Sequence, residues 1–178
     1  MSASPEAQER LRALVREVKN FPKPGINFRD ITPLLGDASG FPLAVVNLIT
    51  PWRDAGITHV IGMESRGFIF AAPVALGLGA GFVPLRKPGK LPRTVVREAY
   101  ALEYGTDALE MHADALPPGA RVLIIDDVLA TGGTAHAAAQ IVRNVQALVM
   151  GFGFLIELPD LAGRKLLPGT PVESVLTF

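Results

Sequence analysis

Four apolar residues, Val122-Leu123-Ile124-Ile125, run straight into the paired carboxylates Asp126-Asp127, and after Val128 and Leu129 a small-residue loop, Ala130-Thr131-Gly132-Gly133-Thr134, opens onto a helical pattern. No other stretch constrains the fold as much. An unbroken apolar run bounded by acids and glycines reads as a strand buried on both faces that delivers a site at its C-terminal end. The loop suits phosphate. Gly132 and Gly133 let the chain approach an anion, backbone N–H groups can turn inward, and the Thr131 and Thr134 hydroxyls add donors at the start of a helix. Asp126 and Asp127 cannot bind phosphate. They suit hydroxyl groups or a phosphate-bound Mg²⁺, so the ligand implied is a phosphorylated polyol such as a ribose phosphate.

A strand of this kind needs parallel neighbours, and the chain supplies them. His59 to Met63, Phe82 to Leu85, Leu148 to Ile156 and Val172 to Phe178 read as further strands, separated by helical patterns and glycine- or proline-marked turns. In the fourth of these, counting the opening run, Gly151 and Gly153 alternate with Phe152 and Phe154, which puts small and large residues on opposite faces. Helices are expected over Pro5 to Val18, from Pro42 with the stripe Phe41, Val45, Leu48 and Trp52, from Phe68, and after Thr134 with Ala138, Ile141, Val142 and Val145 inward. Pro51 should kink or end the second of them. Thr94 to Met111 reads as an excursion of two strands with a mobile tip. The fold class is therefore α/β, an open, mostly parallel twisted sheet flanked by helices. At 178 residues the length suits one domain.

Phe21 to Leu35, with three prolines and a glycine among apolar and aromatic residues, reads as a loop. It suits either a lid over a site or a connection packed on the core. Two further loops follow strands of the same sheet. Glu64-Ser65-Arg66-Gly67 sets an arginine at a helix N-terminus, and Arg86 to Arg93 places four of the 17 basic residues in eight positions. Both loops can converge on a diphosphate.

Composition narrows the partners. Lys plus Arg equals Asp plus Glu at 17 each, so no global charge favours nucleic acid or an anionic membrane. With no cysteine, the chain has no disulfide, thiolate zinc site or cysteine nucleophile, which suits a cytoplasmic protein. Met1 to Arg12 lacks the basic-then-apolar order of an export signal. Phe68 to Leu85 is uncharged over 18 residues, but Pro73, Gly77, Gly79, Gly81 and Pro84 divide it into a helix, a turn and a strand rather than a membrane span. His59, His112 and His136 have no ligand spacing and read as structural.

A strand ending in Asp-Asp also occurs where an NTPase holds Mg²⁺. The chain contains neither G-x-x-x-x-G-K-[ST] nor G-x-G-x-x-G, so nucleotide-triphosphate and dinucleotide readings lose their phosphate-binding half. The ribose-phosphate reading keeps both halves. Residues 122–134 resemble the phosphoribosyl-diphosphate motif of the type I phosphoribosyltransferases. Across nearly its whole length the chain resembles the adenine phosphoribosyltransferase family, through Pro24-Gly25-Ile26, Phe28 to Leu35, Ser65-Arg66-Gly67-Phe68, Arg86 to Pro92, Leu102-Glu103-Tyr104-Gly105 and Asp126 to Thr134.

That resemblance implies a type I phosphoribosyltransferase fold with an N-terminal helix and base-covering hood over 1–35 and a core over 36–178. A flexible catalytic loop is expected at about 90–103. It implies transfer of the phosphoribosyl group of 5-phospho-α-D-ribose 1-diphosphate to N9 of adenine, releasing AMP and diphosphate, with Mg²⁺ on the leaving group and a homodimeric assembly. Carried over by residue, the 5′-phosphate falls to Ala130, Thr131, Gly132, Gly133 and Thr134, and the ribose hydroxyls to Asp126 and Asp127. Diphosphate falls to Ser65, Arg66, Lys87 and Lys90, with Arg86 reaching a neighbouring subunit's site. The base is expected between Phe28 and an aliphatic such as Leu129, read by backbone groups at Asn27 and Arg29. Glu103 handles a proton near the adenine N7, and Arg66 joins Glu103 and the two aspartates as catalytic. A non-proline cis peptide is implied within Glu64-Ser65-Arg66. Asn27 stands where the family is usually aliphatic, and Arg93 adds charge to the loop.

Two other activities fit parts of the pattern. A transferase for hypoxanthine, guanine or xanthine needs a donor for an exocyclic oxygen, and Leu155 to Leu158 offers no lysine for it. A non-catalytic phosphoribosyl-diphosphate sensor needs an added DNA-binding module, for which the roughly 20 residues before the first loop leave no room.

Overall fold

The apolar run that ends in the two acids forms the middle of a five-stranded, wholly parallel sheet in the computed structural model, which describes residues 4–101 and 106–178. In chain order the first half comprises α1 (Pro5–Ala13), β1 (Arg16–Lys19), β2 (Asn27–Asp30), α2 (Thr32–Gly36), α3 (Gly40–Ile49), β3 (His59–Met63), α4 (Arg66–Leu78) and β4 (Gly81–Leu85). The second comprises β5 (Val95–Ala101), β6 (Thr106–His112), β7 (Arg121–Leu129), α5 (Gly133–Asn144), β8 (Leu148–Glu157) and β9 (Val172–Thr177). Short 3₁₀ turns occupy Thr50–Trp52, Pro159–Leu161 and Gly163–Leu166. The sheet order is β4-β3-β7-β8-β9, which puts β7 at the centre, and apolar layers on both faces explain its apolar run.

Two apolar layers sandwich this sheet. One face packs Val122, Ile124, Phe152 and Phe154 against Ala135, Ala138, Ile141 and Val142 of α5, whose alanines let the helix approach closely. The other packs Val60, Leu123 and Ile125 against Leu48 of α3, Trp52, and Phe70 and Val74 of α4. The glycine–phenylalanine alternation of β8 divides as expected. Phe152 and Phe154 stack at 6.3 Å on the α5 side, whereas a Cβ on Gly151 would overlap the Trp52 indole on the other.

The uncharged stretch from Phe68 to Leu85 is the rest of α4, a left-handed stop at Gly79 (φ +65°) and β4. Pro73, expected to divide this stretch, instead lies inside α4, where burial of Phe70, Ala71, Val74 and Ala75 outweighs one lost helical hydrogen bond. Among the described residues no helix is long and apolar enough to cross a membrane.

The N-terminal region departs from the expected pattern. The helix expected through Val18 stops at Ala13, and Arg16–Lys19 pairs antiparallel with Asn27–Asp30, setting Val18 opposite Phe28 and Glu17 opposite Arg29. Cross-strand pairing outweighs helical spacing in so short a segment, because Leu11 alone of the expected stripe is fully buried. The loop expected over Phe21 to Leu35 is thus a turn with a cis Phe21–Pro22 peptide, then β2 and α2. Strands β5 and β6 form the expected hairpin, joined to the end of β4 by an Arg86–Glu110 bridge. Of the loop expected near 90–103, Val95–Ala101 is therefore strand, with Tyr100 buried. Glu103 and its neighbours Leu102, Tyr104 and Gly105 lie outside the described residues.

Candidate active site

At the C-terminal ends of β3, β4 and β7 a cavity of about 600 Å³ opens beneath the β1–β2 hairpin. Its walls bring together Asn27, Phe28 and Arg29, the Ser65-Arg66 turn, Lys87, the Asp126-Asp127 pair, and Ala130 and Thr134. Three of these four stretches meet because parallel strands release their loops on the same edge of the sheet, and the antiparallel β1–β2 hairpin brings the fourth over them.

The acids sit against the start of α4. A Cβ on Gly67 would stand 2.7 Å from Asp126 Oδ1 and 3.2 Å from the Ile125 carbonyl, so only glycine lets this helix end reach the strand. Asp126 Oδ1 accepts a hydrogen bond from the Asp127 backbone N–H at 2.9 Å. Burial, and then the charge of Asp127, push the Asp126 carboxyl well above the usual carboxylate range. Asp127 is 5% exposed, and Arg66 Nε lies 2.6 Å from its Oδ2 without the alignment of a hydrogen bond. Among the described residues no side chain gives that oxygen an aligned hydrogen bond.

The small-residue loop turns into α5 through Gly132, at φ +86°, and leaves the N–H groups of the first helical turn free of intrahelical partners. Ala130, Thr131, Gly132 and Thr134 line a recess of about 60 Å³ beside Asp126. Gly133 opens the helix and borders a second, wider cleft with Thr131.

The cationic wall is partly engaged within the chain. The Glu64–Ser65 peptide is cis, and the Glu64 carboxylate accepts from the Lys87 backbone N–H at 2.7 Å and from Arg86 Nε at 3.0 Å. These two contacts, the backbone bond first, hold Glu64 below its ordinary range. Lys87 donates to Tyr100 Oη at 2.9 Å and to Asp107. Burial pulls Lys87 down, but the hydrogen bonds to Asp107 and Tyr100 more than offset it and leave the ammonium above the ordinary lysine value. Arg86, turned to Glu64, and Lys90, exposed, do not line the cavity in this conformation.

On the hairpin side, Phe28 receives Phe21 edge-on at 5.2 Å and the Arg66 guanidinium at 5.2 Å. One sequence expectation is corrected here. Leu129 is 1% exposed, packs into the α5 side of the core and borders the loop recess rather than the cavity, whereas Val128 lines the cavity with Phe28. Glu64, Tyr100, Leu158 and Leu161 also line the cavity, and sequence reasoning passed over them. Tyr100 and Asp107 meet only through their pairing across β5 and β6, a register no local motif encodes. Leu158 and Leu161 are ordinary aliphatics delivered by the 3₁₀ turn after β8.

Among the described residues no group of three or more His, Cys, Asp or Glu side chains could hold a metal ion. Two adjacent carboxylates beside an anion loop nevertheless fit an octahedral Mg²⁺ that takes most of its oxygens from substrate.

An anion loop, a carboxylate pair and a basic turn at the switch edge of a parallel sheet define a phosphoribosyl-transferring class of protein. A phosphoribosyl transferase domain model matches residues 49–168, and the chain belongs to that family. The adenine phosphoribosyltransferase of Thermosynechococcus vestitus is 55% identical over 168 residues, covering 94% of this chain and 99% of that one. The crystal structure of adenine phosphoribosyltransferase from Rhodothermus marinus is similar at 52% identity and a TM-score of 0.94, covering 98% of this chain and 100% of the other. The Saccharomyces cerevisiae enzyme, solved with D-2,5-dideoxy-2,5-imino-altritol 1,6-bisphosphate and adenine, is similar at 36% identity and a TM-score of 0.91, covering 97% and 99%. Within the phosphoribosyltransferases, the chain is a member of the adenine phosphoribosyltransferase family.

Proposed function

We propose that this enzyme transfers the 5-phosphoribosyl group of 5-phospho-α-D-ribose 1-diphosphate to N9 of adenine, forming AMP and diphosphate in purine salvage. The observation that carries this reading is one cavity in which an anion loop, the Asp126–Asp127 pair, a basic turn and the Phe28–Val128 walls adjoin. The bisphosphate and adenine held by the yeast relative are the two kinds of ligand such a cavity accommodates.

In the reaction the ribose C1–O bond to diphosphate breaks, the C1–N9 bond forms, and the proton on the base nitrogen is lost. The N–H groups and hydroxyls of Ala130 to Thr134 hold the 5′-phosphate, and Asp126 and Asp127 hold the ribose hydroxyls and stabilise positive charge growing on the ring. Ser65, Arg66, Lys87 and Lys90 receive the leaving diphosphate, and Arg86 serves a neighbouring subunit's site. Phosphoribosyltransferases generally use Mg²⁺ with this substrate. Asp126 and Asp127 are the residues that would stand beside it, and when bound it would supply positive charge to the leaving group. Phe28 and Val128 sandwich the base, the backbone at Asn27 and Arg29 reads its edge, and Glu103 handles the proton near N7. The enzyme works as a cytoplasmic homodimer under a hood formed by residues 1–35, with small molecules rather than nucleic acid or membrane as its ligands.

An assay with radiolabelled adenine, hypoxanthine and guanine and 5-phosphoribosyl diphosphate tests the assignment. A labelled mononucleotide is expected from adenine alone, and equal turnover of hypoxanthine to IMP or guanine to GMP would show that the base is wrongly assigned.

A further inference from the structure

The phosphate loop is backed from outside the cavity by the 3₁₀ turn Gly163–Leu166, through two glycine backbones in contact. A Cβ on Gly132 would collide with the Gly163 carbonyl oxygen and stand 3.1 Å from Gly163 Cα. A Cβ on Gly163 would in turn collide with the Ala130 carbonyl and lie 3.1 Å from Gly132 N. The placement of Gly163 therefore limits where Ala130 to Gly132 can lie, and these are the residues whose N–H groups and carbonyls shape the recess.

Gly163 itself is held by the residue after it. Arg164 makes a two-pronged contact with Glu157, Nε to Oε1 at 2.6 Å and a terminal nitrogen to Oε2 at 2.7 Å, and its other terminal nitrogen donates to the Val172 carbonyl at 2.7 Å. Glu157 is 6% exposed, takes a further hydrogen bond from Ser174 Oγ at 2.7 Å, and stands in register with Leu129 of β7 and Thr177 of β9. The hydrogen bonds from Arg164, foremost, keep the Glu157 carboxyl below its ordinary range. A planar guanidinium gripped by a carboxylate on the same strand ladder is a directional anchor, which a lysine cannot reproduce. On the far side His136 of α5 contacts the Leu166 carbonyl at 3.0 Å, so the turn is tied to the helix as well as to the sheet.

We propose that Arg164 is a positioning residue for the anion loop: clamped by Glu157, it seats Gly163 behind Ala130 to Gly132 and so sets the geometry of the 5′-phosphate recess. This rests on the reading of that loop as the 5′-phosphate site. Neither Glu157 nor Arg164 lines the cavity, so a weakening of phosphate binding on their substitution would pass through the loop.

The test compares wild type with Arg164→Lys, Glu157→Gln and Gly163→Ala, using AMP and adenosine, which differ by the 5′-phosphate, as paired probes. Expected is a drop on the order of tenfold in the AMP-to-adenosine affinity ratio, with a matching rise in KM for 5-phosphoribosyl diphosphate and a KM for adenine within about twofold of wild type. Circular dichroism screens for folding, and Arg164→Lys, which keeps volume and charge, carries the decision if the others unfold. Variants that keep the wild-type ratio, or that lose AMP and adenosine affinity equally, overturn the proposal. A wild-type enzyme that binds adenosine as tightly as AMP would instead fault the phosphate reading of the loop itself.

Discussion

Arg66 and Asp127 face each other at 2.6 Å, with the aspartate side chain buried and the arginine half-exposed. Each belongs to a different half of the proposed substrate site, the guanidinium to the diphosphate and the carboxylate to the ribose. Without ligand the two charges satisfy one another, and a bound ribose diphosphate would replace that contact with one to each.

Replacing both acids, Asp126→Asn with Asp127→Asn, is accordingly expected to preserve the fold and remove transfer. Amides keep the volume but lose the charge that favours Mg²⁺ and a developing ribosyl cation. A fall in kcat/KM of at least about 100-fold, roughly 2.7 kcal/mol, is expected beside an unchanged far-ultraviolet dichroism spectrum. Retention of more than about a tenth of wild-type kcat/KM would remove the pair from the mechanism.

Phe28→Ala should act on the base and not on the ribose diphosphate. Stacking of a base on an aromatic ring contributes about 1–3 kcal/mol, so KM for adenine should rise about 5- to 150-fold while KM for 5-phosphoribosyl diphosphate stays near wild type. Phe28→Tyr should keep most of the affinity. Parallel changes in both KM values would show that Phe28 serves the hood rather than the base.

How far the sequence alone reveals this site depends on the range of the interactions. The strand from Val122, its acids and the glycine loop are legible because each rests on neighbours in the chain: apolar run, carboxylates, left-handed turn. The β1–β2 hairpin is not. Its pairing of Val18 with Phe28 depends on partners across a turn, and a four-residue strand leaves too little periodicity to outweigh a helical pattern. The exchange of Leu129 for Val128 has a similar origin. Leu129 packs with Val122 and Ile124 rather than with Leu123 and Ile125, so simple alternation along β7 does not identify the aliphatic that faces the cavity. Gly163 carries no signal of its own, since its role appears only where two backbones touch.

Gly151→Ala is expected to destabilise the protein through the sheet face far from the cavity. Its new Cβ would overlap the Trp52 ring, which lies 5% exposed in the core layer shared with Leu48 of α3. Overpacking of this kind costs about 1–3 kcal/mol, a fall in Tm of roughly 2–12 °C for a chain of this size. Scanning fluorimetry reads it directly, and an unchanged Tm would mean that the indole moves freely.

The raised proton affinity of Asp126 makes a prediction about pH. Its carboxyl, enclosed by the strand and set beside Asp127, binds a proton more tightly in the folded protein than in the unfolded chain. Stability contributed by this group is therefore present at acid pH, below the unfolded carboxylate value, and is lost as pH climbs from there through the raised folded value. Asp126→Asn, which never ionises, escapes that loss. Its Tm should match wild type most closely at acid pH and exceed it increasingly through the rise toward neutrality, with a plateau once wild-type Asp126 is ionised. Ligand should act in the opposite sense to burial, because positive charge placed beside Asp126 by a substrate-bound Mg²⁺ would favour the carboxylate over its protonated form. Calorimetric binding of 5-phosphoribosyl diphosphate with Mg²⁺, repeated in buffers of different ionisation enthalpy just below the folded value, should show net proton release that Asp126→Asn lacks. A Tm difference independent of pH, or identical proton release in both proteins, would show that Asp126 is already ionised in the free enzyme and that Asp127 and the enclosing strand do not raise its proton affinity.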